Sequence, residues 1–426
     1  MGKLLITPHM LRGAVRAPAS KSMAHRALIC AALCDGESAL TGVEPSDDIL
    51  ATAGALISLG AALDMRGETL FVAGTGRDRE ARDCVVDCAE SGSTLRFLLP
   101  VFLVNGGVMH FTGRGNLGKR PLDDYFAIFD RQGIHWEKSG EALNLTVEGR
   151  LSSGHFALRG DVSSQFLSGL LFALPGLDGD SEIEITTPLE SAQYIELTLA
   201  AMRAFGFVIE RTGIRSFHIP GGQCGTARDF AVEGDYSGAA NWLCAAALGA
   251  DLRVENLDPR SLQGDRAVID ILTRMGARFS WEGGAVRCAA EKLRGVTIDA
   301  SACPDIVMPL AAAAATAEGV THFENAGRLR IKECDRLHAV ADVLTALGAR
   351  VEEGEDSLTI EGVEALSGGA VSSHGDHRIA MMAAVASLSC QGPVTIDGYE
   401  CVSKSYPRFF DDFMELGGCV HELSME

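Results

Sequence analysis

Cations suited to small anions recur at matching places along the sequence. Lys21 and Arg26 lie in "SKSMAHRAL", Arg96 in "ESGSTLRF", and Asp376, His377 and Arg378 in "GDHRIAMM". Between them come Lys119 and Arg120 in "NLGKRP", Lys332, Glu333 and Arg336 in "RLRIKECDR", and Lys404 in "VSKSYP". Arginine forks suit bidentate binding of carboxylate or phosphate, and lysine adds a point charge that can also move a proton. Together these positions predict a site for more than one anionic group. Asp305 in "CPDIVM", Glu333 and Asp376 place carboxylates among the cations, where a tuned surrounding makes such a group a proton acceptor or donor. Asp376 reads first as a helix cap or an orienting partner, and His377 as a packed imidazole or a ligand-facing donor ahead of a proton shuttle. One polar helix start alone is ordinarily a cap, and one charge run alone a solvated face. It is their recurrence that points to a site.

The elements that must hold these residues repeat. Six segments read as a helix that stops at glycine and runs into a strand: "ISLGAAL", "FDRQGIHW", "RAFGFVIE", "TRMGARF", "TALGARVE" and "MELGGCV". Their glycines, Gly60, Gly133, Gly206, Gly276, Gly348 and Gly417, are 69 to 73 residues apart and predict left-handed helix stops. Before each comes a polar start followed by an Ala/Leu-rich body, as in "SKSMAHRALICAAL", "DVSSQFLSGLLFAL", "DYSGAANWLCAAAL" and "CPDIVMPLAAAAAT". Each repeat of about 71 residues therefore predicts a buried helix, an amphipathic helix, and short strands such as "SFHIPG" and "SLTIEG". In "RLHAVADVLTALG" the stripe Leu337, Val340, Ala341, Leu344 and Leu347 faces inward, and His338, Asp342 and Thr345 face away. Only the N-terminus of each buried helix is expected to reach solvent, where its unpaired N–H groups and dipole favour anions.

The totals agree with a folded, multi-domain α/β protein: 426 residues, 47% hydrophobic and 22% charged. Apolar runs such as "IVMPLAAAAATA" fall short of the roughly 18 to 20 residues a bilayer crossing needs. The start lacks the pattern of a secretory signal, so a cytoplasmic protein is expected. A net charge of −20 without a long basic stripe argues against nucleic acid and anionic membranes as partners. Twelve cysteines without a CxxC pair read as buried thiols, and no metal is expected. No GxxxxGK[ST] loop, HExxH or Rossmann fingerprint in a strand-to-helix setting occurs.

The strings "SKSMAHRAL", "ESGSTLRF", "GDVSSQFLSGLL", "IKECDR", "GDHRIAMM" and "SKSYP", in this order and over essentially the whole chain, resemble the 5-enolpyruvylshikimate 3-phosphate synthase family. The resemblance implies a two-domain inverse α/β barrel of six repeated units, three per domain. It implies one discontinuous domain, residues 1–20 plus 235–426, and a second, residues 21–234, with the active site in the cleft between them. It implies transfer of the enolpyruvyl group of phosphoenolpyruvate to the 5-hydroxyl of shikimate 3-phosphate, with release of phosphate, by a monomer that needs no metal or organic cofactor. Sensitivity to glyphosate is also implied.

By that resemblance Lys21, Gly92, Arg120, Gln165, Arg336, Arg378 and Lys404 bind phosphoenolpyruvate. Lys21, Ser22, Arg26, Ser163, Ser164, Gln165, Ser191, Tyr194, Asp305 and Lys332 bind shikimate 3-phosphate. The proton roles implied are Asp305 as base at the hydroxyl, Glu333 or Lys21 serving the methylene carbon, and Lys404 assisting phosphate departure. One residue departs from the family pattern: Glu90 stands where many relatives have asparagine, and its carboxylate would repel a nearby phosphate unless protonated or paired, with Arg96 or Lys119 as candidates. A related enolpyruvyl transferase acting on UDP-N-acetylglucosamine typically carries a cysteine in the loop that here reads "GNLGKRP". RNA 3′-terminal phosphate cyclase shares the repeat but fits poorly with this acidity. A non-catalytic anion-binding relative would be free to lose Lys21, Asp305, Glu333, Arg378 or Lys404, and all five are present.

Overall fold

Alternation of all-round apolar and one-sided apolar segments produces alternating helix types along the chain. A computed structural model describes residues 2–77, 83–189 and 191–423. Its helices are α1 (Lys21–Leu33), α2 (Asp47–Leu59), α3 (Gly92–Phe102), α4 (Asp123–Gln132), α5 (Ser164–Ala173) and α6 (Ala192–Ala204), then α7 (Tyr236–Ala247), α8 (Ala267–Arg274), α9 (Val307–Ala314), α10 (Arg336–Ala346), α11 (His377–Ala386) and α12 (Phe409–Glu415). The odd-numbered helices are buried almost throughout, whereas the even-numbered ones bury a single face. In α10 that face holds Leu337, Val340 and Leu344, with Ala339 and Val343 beside them, while Ala341 is only half-buried. All six spaced glycines have positive φ, from +69° at Gly133 to +111° at Gly60, the left-handed region that a Cβ disfavours. The predicted start at "CPDIVM" differs in one respect: Pro304–Ile306 form a turn of 3₁₀ helix before α9 begins. Proline at 304 has no N–H to give and is suited to such a first turn.

Contacts divide the chain into a continuous domain, Lys21–Val232, and a discontinuous one, Met1–Ser20 with Glu233–Glu426. The continuous domain holds α1 to α6 and three four-stranded sheets among the described residues. One runs Phe230–Ala231, Glu37–Thr41, Thr69–Ala73, Ala62–Arg66; the next Cys84–Asp87, Val108–Gly113, Leu143–Glu148, His135–Lys138; the third His155–Leu158, Ser181–Ile185, Ser216–Ile219, Glu210–Arg211. In each, the first pair is parallel and the other two are antiparallel.

The discontinuous domain repeats that pattern three times among its described residues. Its sheets begin with the parallel pairs Arg12–Arg16 with Asp251–Glu255, Thr297–Asp299 with Val320–Glu324, and Gly369–Ser372 with Val394–Asp397. Lys3–Thr7 is a central strand of the last sheet, between Val394–Asp397 and Cys419–Leu423. A parallel pair needs a crossover, and α3, α5, α9 and α11 each supply one between consecutive strands. In the two remaining sheets the chain leaves one domain for the other at this same strand-to-helix connection, once after Ser20 and once after Val232. The apolar helices α7, α9 and α11 pack together at the core of this domain. Their alanine surfaces allow close approach, and Trp242 of α7 fills the side toward Phe409, stacked at 4.9 Å.

Candidate active site

In the discontinuous domain the polar starts of α9, α10 and α11 bring Asp305, Lys332, Glu333, Arg336, Asp376 and Arg378 together. Arg336, the first residue of α10, is 1% exposed and its fork is filled on every side. Nη1 donates to Asp305 Oδ1 at 2.8 Å, Nε to Asp376 Oδ2 at 2.7 Å, and Nη2 lies 2.7 Å from Glu333 Oε2. Arg378 Nη2 lies 3.2 Å from Asp305 Oδ2, and Lys332 Nζ lies 3.9 Å from Asp305 Oδ1. Asp376 is both cap and orienting partner, since it accepts the Arg378 N–H at 2.8 Å while holding Arg336. His377 is fully buried. Lys404, itself buried, ends the 3₁₀ turn Tyr399–Lys404, which packs on α11.

The charges are tuned by this crowding. Burial opposes the Asp305 carboxylate, but Arg378, Lys332 and Arg336 outweigh it and hold its pKa well below the usual carboxylate range. Burial lowers Lys332 to about 8, with Asp305 opposing the shift. Asp265, at the turn leading into α8, is buried beside Asp305 and rises to about 7, chiefly through burial and then through repulsion from Asp305. The Ser237 hydroxyl donates to Asp265. The sequence offered no sign of the Ser237–Asp265 pair, because nothing in the "QGDR" string distinguishes an acid at a helix start from an ordinary cap.

In the continuous domain the starts of α1, α3, α5 and α6 carry the remaining candidates. Lys21 Nζ lies 2.9 Å from Asp48 Oδ2 in the first turn of α2. Asp48 also went unnoticed in the sequence, since acids in a first helical turn normally serve the dipole. Arg26 is 2% exposed and points inward: its Nη1 donates to the Ser22 carbonyl at 2.6 Å, Nη2 to the Tyr194 carbonyl at 2.9 Å, and Nε to Thr198 Oγ1 at 2.9 Å. Burial brings its pKa down to about 10. Ser163 caps α5 by accepting the Gln165 N–H at 3.3 Å, Ser164 is buried, and Ser191 opens α6 with φ +53°. Gln165 accepts from Arg96 Nη1 at 2.9 Å and donates to Ser93 Oγ at 3.0 Å. The Arg120 guanidinium lies against Gly92, where a Cβ would come within 2.5 Å of Nη1. Among the described residues no group of three or more His, Cys, Asp or Glu is placed to hold a metal ion.

Solved structures share this arrangement of elements. The EPSP synthase from Acinetobacter baumannii superposes with a TM-score of 0.81 at 27% identity, covering all of both chains. The enolpyruvyl transferase NikO from Streptomyces tendae shares the fold, with a TM-score of 0.79 at 21% identity over 100% of this chain and 99% of that one. The α/β fold, shared over the whole chain with EPSP synthase, places this chain in the enolpyruvyl-transferase class. The model of the family EPSP synthase (3-phosphoshikimate 1-carboxyvinyltransferase) matches residues 6–413. Proteins named 3-phosphoshikimate 1-carboxyvinyltransferase are 49% identical over 435 residues in Clostridioides difficile (strain 630) and 51% identical over 432 residues in Clostridium botulinum (strain Eklund 17B / Type B), each covering 100% of both chains. The chain belongs to the EPSP synthase family.

Proposed function

We propose that this enzyme transfers the enolpyruvyl group of phosphoenolpyruvate to the 5-hydroxyl of shikimate 3-phosphate, releasing phosphate, and that the candidate residues described above in each domain carry the reaction. Lys21, Gly92, Arg120, Gln165, Arg336, Arg378 and Lys404 bind phosphoenolpyruvate. Lys21, Ser22, Arg26, Ser163, Ser164, Gln165, Ser191, Tyr194, Asp305 and Lys332 bind the acceptor; Arg26 contributes by fixing Ser22 and Tyr194 through their carbonyls. Among the described residues six four-stranded sheets share one pattern, a parallel pair followed by two antiparallel pairs, which supports reading the fold as an inverse barrel of six repeated units. The proposal includes a monomer in the cytoplasm, where phosphorylated substrates that cannot cross a membrane are retained.

The observation that carries the mechanism is Asp305 held by three cations. Within the cluster Asp305 and Glu333 are paired with cations that suit substrate anions, Lys332, Arg336 and Arg378. Substrate phosphate and carboxylate compete for those cations. As Arg378 and Lys332 turn to the substrates, the influence that depresses Asp305 weakens, its proton affinity rises, and it becomes a competent base. The 5-hydroxyl then loses its proton to Asp305 while its oxygen attacks C2 of phosphoenolpyruvate. Glu333 or Lys21 delivers a proton to the methylene carbon, giving a tetrahedral intermediate. Glu333 or Lys21 takes a proton back from the new methyl group as phosphate departs, assisted by Lys404, which forms the vinyl ether of the product. Arginines placed in advance stabilise the accumulating negative charge without reorganising.

The test is inorganic phosphate release from phosphoenolpyruvate with shikimate 3-phosphate, and in parallel with UDP-N-acetylglucosamine. Release with the first acceptor alone, abolished in Asp305→Ala and Lys21→Ala, is expected. Release with the sugar nucleotide alone would refute the acceptor assignment, and full activity in either variant would refute the site.

A further inference from the structure

Glu90 precedes α3 at the end of a strained connection. Ala89 sits at φ +49°, a conformation unusual for a residue with a Cβ. Two hydrogen bonds hold it there: Ala89 N–H donates to Asp87 Oδ1 at 2.8 Å, and the Ala89 carbonyl accepts from Arg114 N–H at 2.8 Å. The second bond ties this connection to the 3₁₀ turn Gly115–Lys119, and the strained backbone aims the Glu90 side chain at the same turn. The half-buried Glu90 carboxylate lies directly on the Cα of Gly115, whose φ is +59°, and a Cβ at 115 would fall on Glu90 Oε1.

At the far end of the turn the contact is reversed. Arg120 closes it by donating its N–H to the Leu117 carbonyl at 3.2 Å, and its guanidinium folds back against Gly92 in the first turn of α3. Two glycines thus accept two charged side chains, one from each segment. Lys138 Nζ fixes the turn from the opposite side through the Gly118 carbonyl at 2.5 Å. A carboxylate near a phosphate subsite is costly unless the fold gives it work to do and holds it in place. Here Glu90 Oε1 occupies the place a Cβ of Gly115 would take, while the Arg120 guanidinium lies against Gly92.

We propose that Glu90 is a positioning residue: its carboxylate, seated on Gly115, holds the turn Gly115–Lys119 in register with α3 and so sets the Arg120 guanidinium over Gly92. This rests on the assignment of Arg120 to phosphoenolpyruvate. Glu90 itself touches no reacting atom in this scheme.

The experiment is steady-state kinetics with both substrates on Glu90→Ala, Gly115→Ala, their double variant and Arg120→Ala. The clash at 115 involves the flexible end of a side chain, so Gly115→Ala unseats the carboxylate without unfolding the domain. Gly115→Asn gives a second variant, because asparagine tolerates a left-handed backbone while still occupying the place of the carboxylate. Each single variant at 90 or 115 is expected to raise KM for phosphoenolpyruvate about tenfold, with kcat within about threefold and KM for shikimate 3-phosphate unchanged. The double variant is expected to match either single one, because both remove the same contact. A multiplied effect of about a hundredfold in the double variant, or a wild-type KM in Glu90→Ala or in both Gly115 variants, would overturn the inference. A wild-type KM for phosphoenolpyruvate in Arg120→Ala would instead overturn the placement of Arg120 in the donor site.

Discussion

Lys332 titrates near neutrality because burial works against its ammonium more strongly than Asp305 restores it. In the free enzyme its charge is therefore lost as the pH rises through about 8, well below the ordinary lysine value of 10.5. Since kcat/KM reports free-enzyme ionisations, its value for shikimate 3-phosphate is expected to fall above that pH. Lys332→Arg keeps its charge throughout and is expected to move the alkaline limb upward by at least about one unit. Superimposable pH profiles for wild type and variant would show that Lys332 does not meet the acceptor. Asp265, which rises to about 7 next to Asp305, loses its proton over a lower range and is unaffected by that substitution.

The helices of the continuous domain are joined by a buried chain of polar groups. His25 Nδ1 of α1 lies 2.7 Å from Thr52 Oγ1 of α2, Thr52 lies 2.7 Å from Thr94 Oγ1 of α3, and Thr94 donates to Ser91 Oγ at 2.8 Å. Desolvation brings His25 down to about 3; Asp48 opposes this, and Lys21 and Arg26 add to it. The imidazole is thus neutral when folded and ordinary when unfolded. Above pH 6.5 neither state binds a proton there and the group contributes no pH dependence. Below that, the unfolded chain takes up a proton that the folded one refuses, so stability falls with pH down to about 3. The loss through His25 alone is about 2 kcal/mol by pH 5, read from urea unfolding at several pH values. A His25→Gln variant is expected to show a flatter curve between pH 6.5 and 4; an unchanged slope would mean that His25 is charged in the folded enzyme.

Connectivity decides how the whole molecule can be divided. Every described strand of the continuous domain pairs within residues 21–232, so that fragment is expected to fold by itself, with a cooperative urea transition and a well-dispersed NMR spectrum. Residues 233–426 alone are expected not to fold. They lack Lys3–Thr7, which bridges two strands of one sheet, and Arg12–Arg16, which completes another. A sheet without its central strand leaves two rows of N–H and C=O groups unpaired. Co-expression with residues 1–20 is expected to restore a folded species. Cooperative unfolding of 233–426 in isolation would contradict this account.

Much of this was legible in the residues because it depends on local rules. The alternation of all-round and one-sided apolar helices follows from periodicity, the six left-handed stops from glycine, and the cap at Asp376 from its place before α11. Composition and string order were enough to identify the candidate anion binders and the family. Other features depend on groups far apart in sequence. Lys21 meets Asp48, Arg96 meets Gln165 69 residues away, and Asp305 is gripped from Lys332, Arg336 and Arg378. No spacing rule reports such pairs, because they are set by how separate helices pack. The pairing of strands Lys3–Thr7 and Arg12–Arg16 with strands more than 200 residues later is likewise a matter of sheet assembly. The sequence by itself thus determined which residues were available for anion chemistry and which helices would be buried. Tertiary structure alone decided that the Arg336 fork is occupied by three acids, that Lys332 titrates near 8, and that Glu90 rests on Gly115, since each depends on desolvation and contact between segments that local sequence does not encode.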